Sequence, residues 1–192
     1  MFNVCFFGAP GSGKGTQAKL VSDYFCLKHL STGDLFRKEV KKQSNVGKYV
    51  YSYIKNGELI PDATVLKEIY REALIHYKSK GFVFDGFPRT LNQAIIFDRL
   101  MDKKKLFLSK VIYIDVKVEE LFKRLMIRAR NSGRIDDNEE TIHKRLLLYK
   151  ETAKQVIDYY SRQEKIVTID GNKTITLVKN DIIKAIDNKK QK

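Results

Sequence analysis

One stretch near the start of the chain, "GAPGSGKGTQ" from Gly8 to Gln17, constrains this sequence more than any other. It follows the apolar run "FNVCFF" and opens "GKGTQAKLVSDYF", whose apolar residues recur at helical spacing. In a strand–glycine loop–helix unit, backbone N–H groups turn inward and a helix N-terminus adds positive potential. The stretch therefore predicts a phosphate cradle of Gly11, Ser12, Gly13, Lys14, Gly15 and Thr16, with Lys14 bringing a full charge. It matches the phosphate-loop pattern G-x-x-x-x-G-K-[ST] through Lys14, then departs: Gly15 replaces the hydroxyl that usually holds magnesium. A glycine turn that merely caps a helix would leave the lysine in register unexplained. The loop alone does not choose among phosphate compounds.

Further strand-like runs, "KHLS", "GFVFDGF", "KVIYIDV" and "KIVTID", alternate with segments of helical spacing such as "TVLKEIYREALIHYKSK", "TLNQAIIFDRLM" and "VEELFKRLMIRA". This alternation predicts an α/β fold, a parallel sheet covered by helices on both faces, with ligands at the carboxyl ends of the strands. Two stretches break the pattern. Residues 31–60 carry helical spacing without a strand, and "YVYSY" between Gly47 and Gly57 reads as one short helix or turn. "ARNSGRIDDNEET" reads as a polar loop between helices, and the final "IDNKKQK" as a frayed basic tail.

Arg37, Arg89, Arg124, Arg128, Arg134 and Arg145 lie in or beside these loops. Guanidinium forks match phosphate oxygens and stay charged at working pH. Arg124 and Arg128 share a helix face at i and i+4, where like charges repel and an anion between them would give relief; pairing of Arg124 with Glu120 is the plainer alternative. Asp85, ending "GFVFD", is placed to hold magnesium through water, with turn capping as the alternative. Asp136 and Asp137 are expected to cap the following helix and to orient the lid arginines. His29, His76 and His143 form no sequence cluster and are given no chemistry.

The net charge of +14 favours polyanionic partners, but the lysines are scattered along polar helix faces. There is no aromatic platform pattern of the kind that binds single-stranded nucleic acid, so nucleic acid is not an expected partner. No apolar run is long enough to span a membrane. Cys5 and Cys26 offer neither a disulfide framework nor a zinc pattern, and a reducing, cytoplasmic location fits.

Together "GAPGSGKGTQ", "STGDLFR", "GELIPD", "GFVFDGFPRT" with Gln93, and "SGRIDDNEETIHKRL" resemble the nucleoside monophosphate kinases, the adenylate kinases in particular, from Val4 to about Ile183. In that family the loop reads G-K-G-T, so Gly15 is expected. The resemblance implies a five-stranded parallel sheet of the P-loop NTPase type in one kinase domain. The core would span 1–30, 61–127 and 139–192, with a helical monophosphate-binding insertion at 31–60 and a short lid at 128–138. It implies reversible phosphoryl transfer, MgATP plus AMP giving two ADP, by a monomer with no structural zinc.

Carried over by position, Gly11 to Thr16 would wrap the ATP phosphates. Arg124 would stack on the ATP adenine, Arg128 would hold its phosphates, and Lys173 would touch the adenine through its backbone. Thr32, Arg37, Glu58, Leu59, Ile60, Gly86, Phe87, Pro88, Arg89 and Gln93 would bind AMP. Arg134 and Arg145 would bridge both nucleotides, and Lys14, Arg89, Arg128, Arg134 and Arg145 would be the catalytic charges. Asp85 would reach Mg2+ through water. Ala129 and Arg130 depart from a glycine that the family often has after the arginine matching Arg128. A UMP/CMP kinase of the same architecture is the nearest alternative; Thr32 and Gln93 resemble the adenine-reading forms. A basic, ATP-dependent nucleic-acid-binding protein is a more distant one.

Overall fold

The computed structural model describes residues 2–104 and 106–187; the last five residues of the expected basic tail lie outside them. The five anticipated strands are β1 (Phe2–Phe7), β2 (Lys28–Ser31), β3 (Gly81–Asp85), β4 (Phe107–Asp115) and β5 (Ile166–Asp170). They pair in parallel in the order β2-β3-β1-β4-β5. Parallel pairing needs crossovers, supplied by α1 (Lys14–Phe25), α4 (Asp62–Ile75), α5 (Leu91–Lys103), α6 (Val118–Ser132) and α7 (Glu139–Ser161), with α8 (Ile175–Asp187) closing the chain.

Successive side chains of a strand face opposite ways, and β1 uses both. Cys5 and Phe7 enter a core with Phe82, Phe84, Phe97, Val156 and Tyr160; Val4 and Phe6 enter another with Ala18, Val21, Ile112, Leu121 and Ile182. That two-sided burial is why the strands read as continuous apolar runs.

Between β2 and α4 lie α2 (Thr32–Lys41) and α3 (Asn45–Lys55), capped by the hydroxyls of Ser31 and Ser44. The run "YVYSY" belongs to α3, an 11-residue helix. Gly47 does not bound this helix but sits inside it. A Cβ there would lie 2.0 Å from the Glu39 carbonyl oxygen, so the glycine lets α3 rest directly on α2. Among the described residues no helix is long and apolar enough to cross a membrane.

Candidate active site

β1 delivers the chain to the glycine loop at the carboxyl edge of the sheet. Gly11 (φ 83°) and Gly13 (φ 86°) hold left-handed conformations that L side chains rarely adopt. A Cβ on Gly11 would also stand 2.9 Å from the Leu121 carbonyl and the Leu125 side chain, so the loop lies tight on α6. Gly13 starts α1 without any side-chain cap, which leaves the first amides of that helix to a ligand. Lys14 Nζ donates to the Ala9 carbonyl (3.0 Å) and lines the central cleft. Burial, opposed by Asp85 and reinforced by Arg89, Arg145 and Arg128, pulls its pKa down to about 7.

Gly15 now has a physical explanation. A Cβ at that position would come within 3.2 Å of Asp85 Oδ2, so a hydroxyl-bearing side chain would crowd the carboxylate. Asp85 is buried at the end of β3, its Oδ1 without a hydrogen-bond partner among the described residues and its Oδ2 3.7 Å from His29 Nε2. Burial works to raise its pKa, but His29, Lys14 and Ser31 outweigh it and hold the carboxyl below its ordinary range. An ionised, buried oxygen without a protein donor suits a water-coordinated cation.

Register brings the next group together. Ser31 lies beside Asp85 in the β2–β3 pair, so the loops beginning at Thr32 and Gly86 emerge side by side. Thr32 Oγ1 donates to the Gly86 carbonyl (2.9 Å), and so does Arg89 Nε (2.7 Å). The Arg89 N–H donates to Gln93 Oε1 (2.8 Å), while Gln93 Nε2 donates to Asp62 Oδ1 (2.7 Å). One cleft is lined by Lys14, Thr32, Arg37, Glu58, Leu59, Ile60, Gly86, Pro88, Arg89, Gln93 and Arg145. Phe87 is different: its side chain is fully buried against Phe97 (5.0 Å between centroids) and does not line the cleft. Its neighbours on the strand face are phenylalanines, and the ring completes that core, so only its backbone is left for a ligand.

The side of the cleft formed near residues 128–138 is organised by carboxylates. Arg128 forks onto Asp137 (2.7 and 2.5 Å), and Arg145 Nη1 donates to Asp136 Oδ2 (2.7 Å) and Asp137 Oδ1 (3.3 Å). Asp136 and Asp137 thus orient arginines but do not cap α7. Asn138 does, accepting from the Thr141 N–H (2.9 Å), which leaves both carboxylates free to turn inward. Arg124 pairs with Glu120 (2.7 Å), the plainer of its two expected partners, and donates to the Gly171 carbonyl (3.1 Å). Lys173 pairs with Asp181 (2.7 Å) at the surface. The Arg134 guanidinium makes no hydrogen bond among the described residues, and burial with nearby Arg37 and Arg128 lowers its pKa. Arg124, Arg128, Arg134 and Lys173 stand outside the lining of the cleft, as do Gly11, Ser12, Gly13, Gly15 and Thr16.

The family model for adenylate kinases matches residues 6–165. The chain is 42% identical to an adenylate kinase of Phocaeicola vulgatus over 188 residues, 97% of this chain and 99% of that one. It is 40% identical to those of Bacteroides thetaiotaomicron (97% and 99% covered) and Parabacteroides distasonis (99% and 100% covered). The chain belongs to the adenylate kinase family. It is accordingly a phosphotransferase of the nucleoside monophosphate kinase type, on the α/β sheet that its motifs imply.

Some residues of this adenylate kinase cleft escaped sequence reasoning. Tyr149 and Thr152 line it from α7, and Phe36 from α2; on a helical repeat they look like ordinary core positions. Gly57 (φ 68°) brings the end of α3 against α7, where a Cβ would meet Thr141 Cγ2 at 2.7 Å. Asp62 had the clearest signal available, a carboxylate in "GELIPD" four residues after Glu58, yet nothing in the chain announces that its partners are Thr90, Asn92 and Gln93.

Proposed function

We propose that the cleft takes AMP against Thr32, Arg37, Glu58 to Ile60, Gly86, Pro88, Arg89 and Gln93, while the glycine loop, Arg124, Arg128 and Lys173 take ATP. The single observation that carries this is the convergence of Lys14, Arg89 and Arg145 on one cleft that Gln93 also lines. Three cations at that junction are placed to neutralise a phosphoryl group in flight. The second pKa of a phosphate monoester is about 6, so the AMP phosphate is already ionised near neutral pH and no general base is needed. Its oxygen attacks the γ-phosphorus of ATP, the bond to the bridging oxygen breaks, and ADP forms on both sides. Charge on the equatorial oxygens is stabilised by Lys14, Arg89, Arg128, Arg134 and Arg145, so positioning and electrostatics supply the catalysis.

Magnesium arriving with ATP would shield charge between the β- and γ-phosphates, with Asp85 Oδ1 holding it through water. The reading includes the division into a core, an insertion at 31–60 and a lid at 128–138 that moves Arg134 inward, excluding water. A cytoplasmic monomer acting on ATP, AMP and ADP completes it.

A coupled assay of ADP formation from MgATP with AMP, CMP, UMP and GMP as acceptors tests the proposal. Strong turnover with AMP alone is expected. Preference for CMP or UMP would keep the mechanism and overturn the acceptor; absence of acceptor-dependent turnover would overturn both.

A further inference from the structure

Gln93 is held at both ends of its amide. The Arg89 backbone N–H can only donate, so Oε1 has to face it (2.8 Å). Asp62 receives Thr90 Oγ1 (3.2 Å), Asn92 Nδ2 (2.7 Å) and Gln93 Nε2 (2.7 Å), and a carboxylate gathering three donors requires the amide NH2, not its oxygen. The two demands agree. Together they remove the half-turn by which a glutamine exchanges donor and acceptor. One N–H on Nε2 and one lone pair on Oε1 stay unused, on a side chain that is 1% exposed and lines the cleft. Asp62 itself does not line the cleft.

We infer that Asp62 is a positioning residue that sets the polarity with which Gln93 meets the acceptor base, so that the cleft takes 6-aminopurine and rejects 6-oxopurine nucleotides. This rests on reading Gln93 as the group that meets the base. Adenine presents a ring-nitrogen acceptor beside an amino donor, which the fixed amide matches with its remaining N–H and lone pair. A 6-oxopurine puts an oxygen where the donor was and leaves the glutamine oxygen facing it. An amide free to turn would serve either base. The Asp62 carboxylate, 31 residues away in "GELIPD", is what denies it that freedom.

The test compares AMP as substrate with IMP as competitor, since IMP differs from AMP at this edge of the base. Asp62→Asn keeps the shape but turns an NH2 toward donors, and Asp62→Ala removes the anchor. In both, KM for AMP should rise while KM for ATP holds. The Ki of IMP should not rise with KM for AMP, so preference for AMP falls by roughly tenfold or more, the size expected for one mispaired base edge. A purely structural role at the start of α4 would weaken AMP and IMP alike, and an unchanged ratio overturns the inference.

Gln93→Ala separates the two readings. If it shifts the ratio and the Asp62 variants do not, the positioning role alone fails; if it leaves the ratio unchanged, base reading by Gln93 fails and the inference with it. Adding Asp62→Asn to Gln93→Ala should shift the ratio no further, and a further shift overturns action through Gln93. The unsubstituted protein gives a readout that no folding defect can obscure: the Gln93 side-chain NH2 should exchange with solvent far more slowly than surface glutamines. Exchange as fast as theirs overturns the inference.

Discussion

The two halves of the cleft hold their cationic and polar side chains by different means. On the β2–β3 side, Thr32 and Arg89 are tied to the Gly86 carbonyl and Gln93 to a backbone N–H as well as to Asp62, while Arg37 pairs with a carboxylate, the exposed Asp34 (2.6 Å). On the β4–β5 side, Arg124, Arg128, Arg145 and Lys173 are tied to Glu120, Asp137, Asp136 and Asp181. A neutral carbonyl fixes a guanidinium without cancelling its charge, whereas a carboxylate fixes it and cancels much of its field. On the proposed assignment the acceptor half, Arg37 apart, is therefore set in advance for an anion. On the same assignment the donor half has to share or exchange ion pairs when a polyphosphate arrives, which suits the proposed lid in forming its charged site late.

The most severe way to break this contrast is at the junction. Lys14→Met should lower kcat by about 10³-fold or more, because it removes transition-state charge stabilisation. The same change should raise the melting temperature of the ligand-free protein. The folded pKa of Lys14 is about 7 against an ordinary 10.5, so the unfolded chain binds the extra proton across that window. The burden is full below pH 7 and fades as pH rises towards 10.5, and the stabilisation by Lys14→Met should fade with it in melts at pH 7, 8.5 and 10.

Arg134→Ala should lower kcat by about 10²-fold with little change in melting temperature, since among the described residues its guanidinium makes no hydrogen bond to lose. Unchanged turnover would remove it from the chemistry. Asp137→Asn sharpens the contrast further. It should lower kcat about tenfold and disturb KM for ATP more than KM for AMP, and destabilise the chain by about 1–3 kcal/mol. Burial raises the Asp137 pKa, but Arg128, Ser132 and Arg145 outweigh it and hold it below 3.8. Its stabilising contribution is thus present above that value and lost as pH falls through the lowered one, and Asp137→Asn should flatten this part of the acid melting profile. The smallest effect belongs to Lys144→Ala. The Lys144–Glu58 pair (2.9 Å) links the end of α3 to α7 but is 49% and 42% exposed, so the loss should stay within ~0.5 kcal/mol and KM for AMP within about twofold.

The strands were legible because burial on both faces leaves a run such as "GFVFD" apolar throughout, and the glycine loop because its backbone conformations admit few other residues. Strand order was not, since β1 lies between β3 and β4 for reasons of packing that no local stretch contains. "YVYSY" imitates strand alternation yet lies in α3, where Gly47 lets the helix rest on α2. At the site, Arg89, Gln93 and Lys14 could be named from motifs, but Asp137 looked like a cap because the true cap, Asn138, is its neighbour. Phe87 sits in a binding motif and yet belongs to the core. Hydrogen-bond partners distant in sequence, such as Asp62 and Gln93, are written only in the folded chain.

The sheet order also bears on how such a protein can change over generations. The strands on the acceptor side of β1, β2 and β3, are encoded between Lys28 and Asp85 and those on the opposite side between Phe107 and Asp170, while α7 reaches the acceptor cleft through Arg145, Tyr149 and Thr152. Heritable variation in the first stretch can retune one recognition event while the second is inherited intact, with the glycine loop common to both. A lineage can thus alter most of its acceptor side while keeping its donor side, and a chimera joined between α5 and β4 would show how far Arg145, Tyr149 and Thr152 of α7 restrict that step.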